Sequence, residues 1–364
     1  MARCVGDVDT FESEYWGRAP LHRHGASADS FRDILTTGDL DAFLCSGIRR
    51  PVVRLVENGS PVSGDRYTNR ARIGGRDFRD VVDPDRVAEL FSGGATIVAQ
   101  SLHRTHHKVL FFAERLGDEI SHPIQANAYL TPPHATGLAP HTDGHDVIVV
   151  QLAGSKRWSV ESLGEFELGA GDTLYVPAGT EHVASSNDQT SLHLTLGILR
   201  VTYRSVLERI LRDGPARLDD PLPLRFRTAD DDMHAELGPM IDEVRRHLAS
   251  IDVAEVARSE RTRRTRRPPR PGALNAAVGL ANLTLQACVI RTVDWTAIRR
   301  ADSVIRIERD GHWMNVPSVC ARAIAQLRRA DHVLIDDLVG LDDSSKLILA
   351  RRLITAGFCR ATDE

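Results

Sequence analysis

Between residues 94 and 200 the chain is cut into short β-branched runs: "ATIVAQSL", "IQANAYLTPP", "HDVIVVQLAG", "KRWSVESL", "GDTLYVPAG" and "TSLHLTLGIL". Each has the length of a strand, about 4–8 residues, and is bounded by Gly, Pro, Asp or Asn. Many consecutive strands without intervening helices favour a sandwich or a barrel. This block therefore predicts a mainly β core, and any chemistry it carries must be assembled from strand ends and turns.

The flanks read differently. Residues 1–60 alternate turn residues with amphipathic pieces, and "DSFRDILTTGDLDAFLCSG" predicts short helices broken by Gly38 and ended by Gly47. After residue 200 the texture is helical: "YRSVLERILRDG" and "MHAELGPMIDEVRRHLASIDVAEVARS" carry apolar stripes. "RTRRTRRPPRPG" (261–272) reads as a linker, a charge run followed by prolines. The final block predicts a hairpin around Asp310-Gly311 in "SVIRIERDGHWMNV", then two helices, the second stopped at Gly357. A hairpin with helices in so short a block suggests a winged-helix-like α+β module. The expected organisation is a β domain over 1–200, helices over 201–260, a basic linker over 261–272 and the module over 273–364.

Bulk composition removes several classes. The 364 residues are 42% hydrophobic and 26% charged, as in ordinary globular proteins. No apolar run approaches the roughly 20 residues that span a bilayer, and "MARCVGDVDTFESEYWGR" has no apolar core of a signal peptide. A cytoplasmic chain without a membrane partner is expected. The five cysteines are scattered and include no C-x-x-C, which argues against a disulfide framework or a cysteine zinc site. A net charge of −4 gives no global pull toward nucleic acid, so the arginine run is read as a linker. Only Lys108, Lys156 and Lys346 are lysines among the 46 Lys and Arg, so a lysine beside a candidate site is informative.

The stretch "LAPHTDGHDVIVVQLAGSKRW" (138–158) holds such a site. His141 and Asp143 lie two apart at the start of a strand and share a face, so both can ligate one metal. Chance alone supplies such pairs in a chain with 15 His and 50 Asp and Glu. A third ligand is needed, and His182, after the Pro177/Gly179 turn, is the best placed. His134, His145 and His193 are rivals, and "HRTHH" (His103, His106, His107) is dense in imidazole but lacks a carboxylate. Two imidazoles and one carboxylate suit non-haem Fe(II), leaving positions for a chelating 2-oxo acid and O2. Zinc accepts the same set. Lys156, after a Gly154-Ser155 turn, can pair with the distal carboxylate of that 2-oxo acid. Asn127 and Tyr129, on one face of an earlier strand, can add polar contacts.

The joined segments "QANAYLTPPHATGLAPHTDGHDVIVVQLAGSKRW", "GDTLYVPAGTEHVA" and "SLHLTLGI" resemble the JmjC/cupin-4 family of 2-oxoglutarate oxygenases, in its ribosomal-oxygenase branch. "YWGRAPLHRHG" is similar to the family's N-terminal W-x-x-x-P-L element. The resemblance implies a double-stranded β-helix followed by a helical dimerisation region and a winged helix. It implies that His141, Asp143 and His182 bind Fe(II), that Lys156 binds 2-oxoglutarate, and that Asn127 and Tyr129 line the pocket. It further implies hydroxylation of a side-chain carbon in a peptide or protein, with arginine or histidine favoured, and a homodimer. Two features depart from the branch. Gly197 stands where some relatives carry a serine near the cosubstrate, and the connection from "KRWSV" to "GAGD" is short where relatives shape the substrate entrance. A natural-product precursor peptide is thus an alternative to a ribosomal protein. Lysine demethylation by the same chemistry, or a non-enzymatic cupin-like regulator that binds nucleic acid, are the other readings.

Overall fold

A computed structural model describes the chain except for residues 136–138, 223–229, 263–279, 281–282, 292–295, 302, 310–311, 331 and 363–364. It divides into two compact units, Met1–Leu248 and Ala249–Glu364.

The first unit is built on thirteen described strands: β1 (Leu21–Arg23), β2 (Val53–Glu57), β3 (Ser60–Pro61), β4 (Thr68–Ile73), β5 (Arg76–Val82), β6 (Thr96–Ala99), β7 (Ile124–Thr131), β8 (Asp146–Ala153), β9 (Ser155–Val160), β10 (Gly164–Gly169), β11 (Thr173–Val176), β12 (His182–Ser186) and β13 (Ser191–Ile198). They form an eight-stranded sheet of order β1-β11-β8-β13-β7-β6-β2-β3, a three-stranded sheet β10-β9-β12, and a hairpin β4-β5. The described pairings are antiparallel. Because strand side chains alternate in direction, β8 feeds two cores. Ile148 and Val150 join Ala126, Ala128, Leu194 and Leu196 in a cluster that includes Leu40 and Phe43 of the helix Thr37–Leu44 and Val109 and Leu116 of the helix His107–Ile120. Val147 and Val149 face the small sheet, where Trp158, Val160, Leu168, Leu174 and Val176 close a second cluster. This two-sheet wrap is the double-stranded β-helix.

The six sequence runs correspond to β6, β7, β8, β9, β11 and β13. The turn between β8 and β9 is Gly154, at φ 61°, where a Cβ would come within 2.1 Å of the Thr190 carbonyl oxygen. Only glycine fits there. In the N-terminal segment residues 21–23 and 53–57 are strands of the main sheet, and one expectation there, at Gly38, needs correction. Gly38 does not break its helix: it lies in the first turn, inside a reciprocal capping box between Thr36 and Asp39 that satisfies the otherwise free amides.

Helices Tyr203–Arg212 and Asp230–Ser250 follow β13, the first opened by a capping box of Thr202 and Ser205. In the second unit, a helix spans Val253–Thr262. The remainder of the expected 261–272 linker lies outside the described residues. The unit continues with β14 (Cys288–Arg291), β15 (Thr296–Ala301), β16 (Val304–Arg309), β17 (His312–Pro317), β18 (His332–Leu334) and β19 (Cys359–Thr362). They form the sheets β18-β14-β19 and β15-β16-β17. Strands β16 and β17 pair as an antiparallel hairpin, although the expected Asp310-Gly311 turn is itself outside the described residues. Ile324, Leu327, Leu349 and Leu353, from helices Ala321–Arg329 and Asp343–Thr355, pack on Val289 and Ile307. Gly357 takes φ 79° just past the second helix. Among the described residues, no helix is long and apolar enough to cross a membrane.

Candidate metal centre and its cavity

His141 and His182 face each other across an antiparallel bridge, exchanging backbone hydrogen bonds of 3.2 and 3.0 Å. Directly opposed residues project to the same side, and their ring centroids are 4.5 Å apart. Asp143, two residues on, brings its Oδ2 to 3.7 Å from His182 Nε2. One ligand atom from each of the three lies within 4.8 Å of the others.

Both rings are oriented by the backbone. His141 Nδ1–H donates to the Ala139 carbonyl at 2.8 Å, and His182 Nδ1–H donates to the Thr180 carbonyl at 3.0 Å. Each bond leaves Nε2 as the lone-pair nitrogen, the arrangement found around ligating histidines. Burial holds the His182 pKa below its ordinary value, which favours the neutral ligand form. The turn that delivers His182 is pinned twice. Gly179 N–H donates to the Asp143 carbonyl at 2.9 Å. Ala178 N–H donates at 2.8 Å to Asp146, a fully buried carboxylate that also accepts from the Tyr175 hydroxyl at 3.0 Å and lies 3.5 Å from Arg200 Nη1.

These groups open onto a cavity of about 230 Å³ between the two sheets. On β9, Lys156, Trp158 and Val160 point inward while Arg157 points out. On β12, His182 pairs with Val160 and Ser186 with Lys156, so metal ligand and ammonium share one face. Four residues of strand separate the Lys156 and His182 positions, roughly 13 Å along the backbone. Both side chains reach inward and line the cavity. Lys156 is 2% exposed, and no hydrogen bond or ion pair to it is found among the described residues. Burial alone pushes its pKa down to about 8. A buried cation without a counter-charge is costly unless a ligand supplies one.

The other sequence candidates divide. Tyr129 lines the cavity, stacked on His193 with centroids 4.8 Å apart, and burial raises its phenol pKa. Asn127 does not line the cavity: its Oδ1 accepts the Ser101 N–H at 2.9 Å, at a residue with φ 55°. His193 is fully desolvated, its pKa well below the ordinary value, with no carboxylate beside it. His145 sits 3.1 Å from Gln125 Nε2 and fills the space beside Gly197, where a Cβ would meet its Nε2 at 2.4 Å. His134 is exposed near Asp188, and His103 accepts the Ala126 N–H. Arg54, on β2, was missed. It lines the cavity and its Nε donates to Gln100 Oε1 at 3.0 Å. The alternation in "VRLVE" before Asn58-Gly59 was the available signal.

The family model for the JmjC domain matches residues 105–164 and 159–206, which include His141, Asp143, Lys156 and His182. Residues 105–206 are thus similar to a JmjC domain. Ribosomal oxygenase 1 of Gallus gallus is 30% identical over 232 residues, 56% of this chain and 37% of that protein. The bifunctional lysine-specific demethylase and histidyl-hydroxylase NO66 of Dictyostelium discoideum is 27% identical over 234 residues, 56% of this chain and 43% of that protein. The chain thus matches less than half the length of these curated relatives. YcfD, a ribosomal oxygenase from Escherichia coli solved with cobalt and succinic acid, superposes with a TM-score of 0.50 at 16% identity, covering 97% of each chain. That likeness concerns the fold alone.

Proposed function

We propose that the chain is an Fe(II)- and 2-oxoglutarate-dependent oxygenase that hydroxylates a side-chain carbon of a residue, arginine or histidine favoured, in a peptide or protein. The observation that carries this reading is the pairing of two features in one cavity. A His-Asp-His cluster with both Nδ1 atoms fixed by backbone carbonyls faces, along the same sheet surface, a buried lysine without a counter-charge among the described residues. The donor set fits Fe(II): two imidazoles and one carboxylate leave positions open for a 2-oxo acid and O2. Bound iron would supply the oxidising chemistry, in which 2-oxoglutarate and O2 yield succinate and CO2 while one oxygen atom enters a substrate C–H bond. The cobalt and succinic acid of the YcfD structure are the kinds of ligand this cavity suits.

The chain's own residues bind and orient. Lys156 Nζ–H groups donate to the distal carboxylate and neutralise it in a site that excludes water. Trp158, Val147 and Val149 supply apolar walls, and Tyr129 with Arg54 adds a polar edge. The names of the relatives support a protein substrate such as a ribosomal protein, and the short connection from "KRWSV" to "GAGD" keeps a precursor peptide as the alternative. We also infer a cytoplasmic homodimer in which 201–260 is the helical dimerisation region, 261–272 a linker and 273–364 a winged-helix-like module. A specific observation keeps demethylation as the second reading: NO66 is described as both demethylase and hydroxylase.

The test is O2-dependent conversion of 2-oxoglutarate to succinate, matched by a peptide or ribosomal protein that gains one oxygen atom. Formaldehyde release instead would select demethylation. Absence of 2-oxoglutarate binding to the Fe(II)-loaded protein under anaerobic conditions would sink both.

A further inference from the structure

A second cluster of metal-binding side chains lies on other strands. His22 and His24 are two apart at the end of β1, and the β1–β11 register, continued one residue beyond Arg23–Thr173, sets His24 opposite Asp172. Alternation places both imidazoles on the same side of the strand as that carboxylate. His24 Nδ1 is 3.3 Å and His22 Nε2 is 3.7 Å from Asp172 Oδ2, and one ligand atom from each of the three lies within 4.8 Å of the others. Tetrahedral ligands about 2.0–2.1 Å from a zinc ion stand roughly 3.3 Å apart. The cluster needs only a small contraction to reach that spacing.

Three further observations show that the arrangement is built. His22 Nε2 is shielded from solvent, makes no hydrogen bond, and is directed toward Asp172, while its ring stacks on Phe166 of β10 with centroids 4.5 Å apart. Asp172 is held by two backbone amides, Gly25 N–H to Oδ1 at 2.8 Å and Gly169 N–H to Oδ2 at 3.0 Å, so the carboxylate is fixed without a cationic partner of its own. The chain after His24 presses onto the β10–β11 turn more closely than a side chain permits. A Cβ on Gly25 would come within 2.0 Å of the Gly171 carbonyl oxygen, and one on Gly171 within 2.1 Å of the Ser27 carbonyl oxygen.

The geometry points to a second metal site, His22/His24/Asp172, that takes a borderline divalent cation of the zinc class. Hard cations such as Mg(II) prefer all-oxygen shells and are disfavoured by two imidazoles. His24 is open to solvent, so the fourth position is a water. A bound ion would clip the edge strand β1 to the β10–β11 turn, extending by side-chain bonds the β1–β11 pairing where its backbone ladder ends. The site shares no residue with the His141/Asp143/His182 centre and stands whether or not the proposed oxygenase activity does.

The test is zinc stoichiometry on the untagged, metal-stripped full chain, by isothermal titration and by metal retained after gel filtration. The wild type should bind two equivalents, His24→Ala one, His141→Ala/Asp143→Ala one, and the triple variant none. His24 is exposed, so its substitution does not threaten folding, and the equivalent retained by His24→Ala reports an intact fold. As a second readout, zinc should raise the Tm of the His141→Ala/Asp143→Ala protein and lose that effect when His24→Ala is added. A His24→Ala protein that binds as many equivalents as the wild type, or a His141→Ala/Asp143→Ala protein that binds none, overturns the proposal.

Discussion

The chain presents two imidazoles and a carboxylate twice, at His141/Asp143/His182 and at His22/His24/Asp172, and fixes them in opposite ways. In the first cluster the rings are held, each Nδ1 by a backbone carbonyl, and the carboxylate is the less constrained member. In the second the carboxylate is held by two backbone amides, while His24 is 81% exposed. Only the first faces a cavity with a buried cation across it. Ligand identity therefore does not distinguish a reaction centre from a structural clip. What distinguishes them is the space beside the metal and the charge waiting there.

Substituting the first cluster gives the largest effect. Asp143→Ala or His141→Ala should abolish 2-oxoglutarate-dependent succinate formation and Fe(II) binding at that centre. Full turnover in either variant would erase the distinction between the clusters.

Lys156→Met comes next and separates stability from binding. The pKa of the buried ammonium, lowered from 10.5 to about 8, corresponds to about 3 kcal/mol of destabilisation at neutral pH. With the folded-state pKa below the unfolded value, the unfolded chain binds more protons between about 8 and 10.5, so the ligand-free protein gains stability as pH rises through that window. The variant should be more stable by about that amount at pH 7, with the gain vanishing toward pH 10.5, as urea unfolding would measure. Its 2-oxoglutarate affinity should fall at least about thirtyfold, while metal binding persists. In the wild type, affinity should begin to fall as pH passes about 8.

Asp146→Asn probes the turn that only the first cluster uses. It removes a buried charge that accepts from Tyr175 and Ala178, which should cost about 2–3 kcal/mol in thermal unfolding. Weaker metal binding at the first centre should accompany that loss, with the second equivalent untouched. Gly25→Ala is the smallest perturbation. Crowding against Gly171 should cost about 1–2 kcal/mol and weaken only the second equivalent of zinc; weakening of both would mean that the clusters are not independent.

The parts legible in the sequence were those written locally. Strands such as β8 and β13 declare themselves by length, β-branching and bounding turns, and the H-x-D pair with a lysine and a distant histidine follows the order of the strands. The N-terminal strands are short, and their pairing partners lie far along the chain: β1 pairs with β11, and the turn before β11 supplies the second carboxylate. His22 and His24 stand in a quoted motif, yet nothing near them in sequence hints at Asp172. Asn127 and Tyr129 share a face in sequence terms, but the left-handed backbone at Ser101 draws the Asn127 amide to its N–H. Arg54, which lines the same cavity as Tyr129, comes from a strand that pattern alone did not place. Gly38 misled because a capping box offsets the poor helix propensity of glycine in the first turn.

Lys156 has a consequence beyond catalysis. If an anion binds there as proposed, it would complete a folded state that buries a cation, and occupancy and folding would be linked through mass action. The supply of a small dicarboxylate would then set the fraction of chains exposed to unfolding and proteolysis. Under that proposal the lifetime of the protein would read out a metabolite concentration through this one side chain.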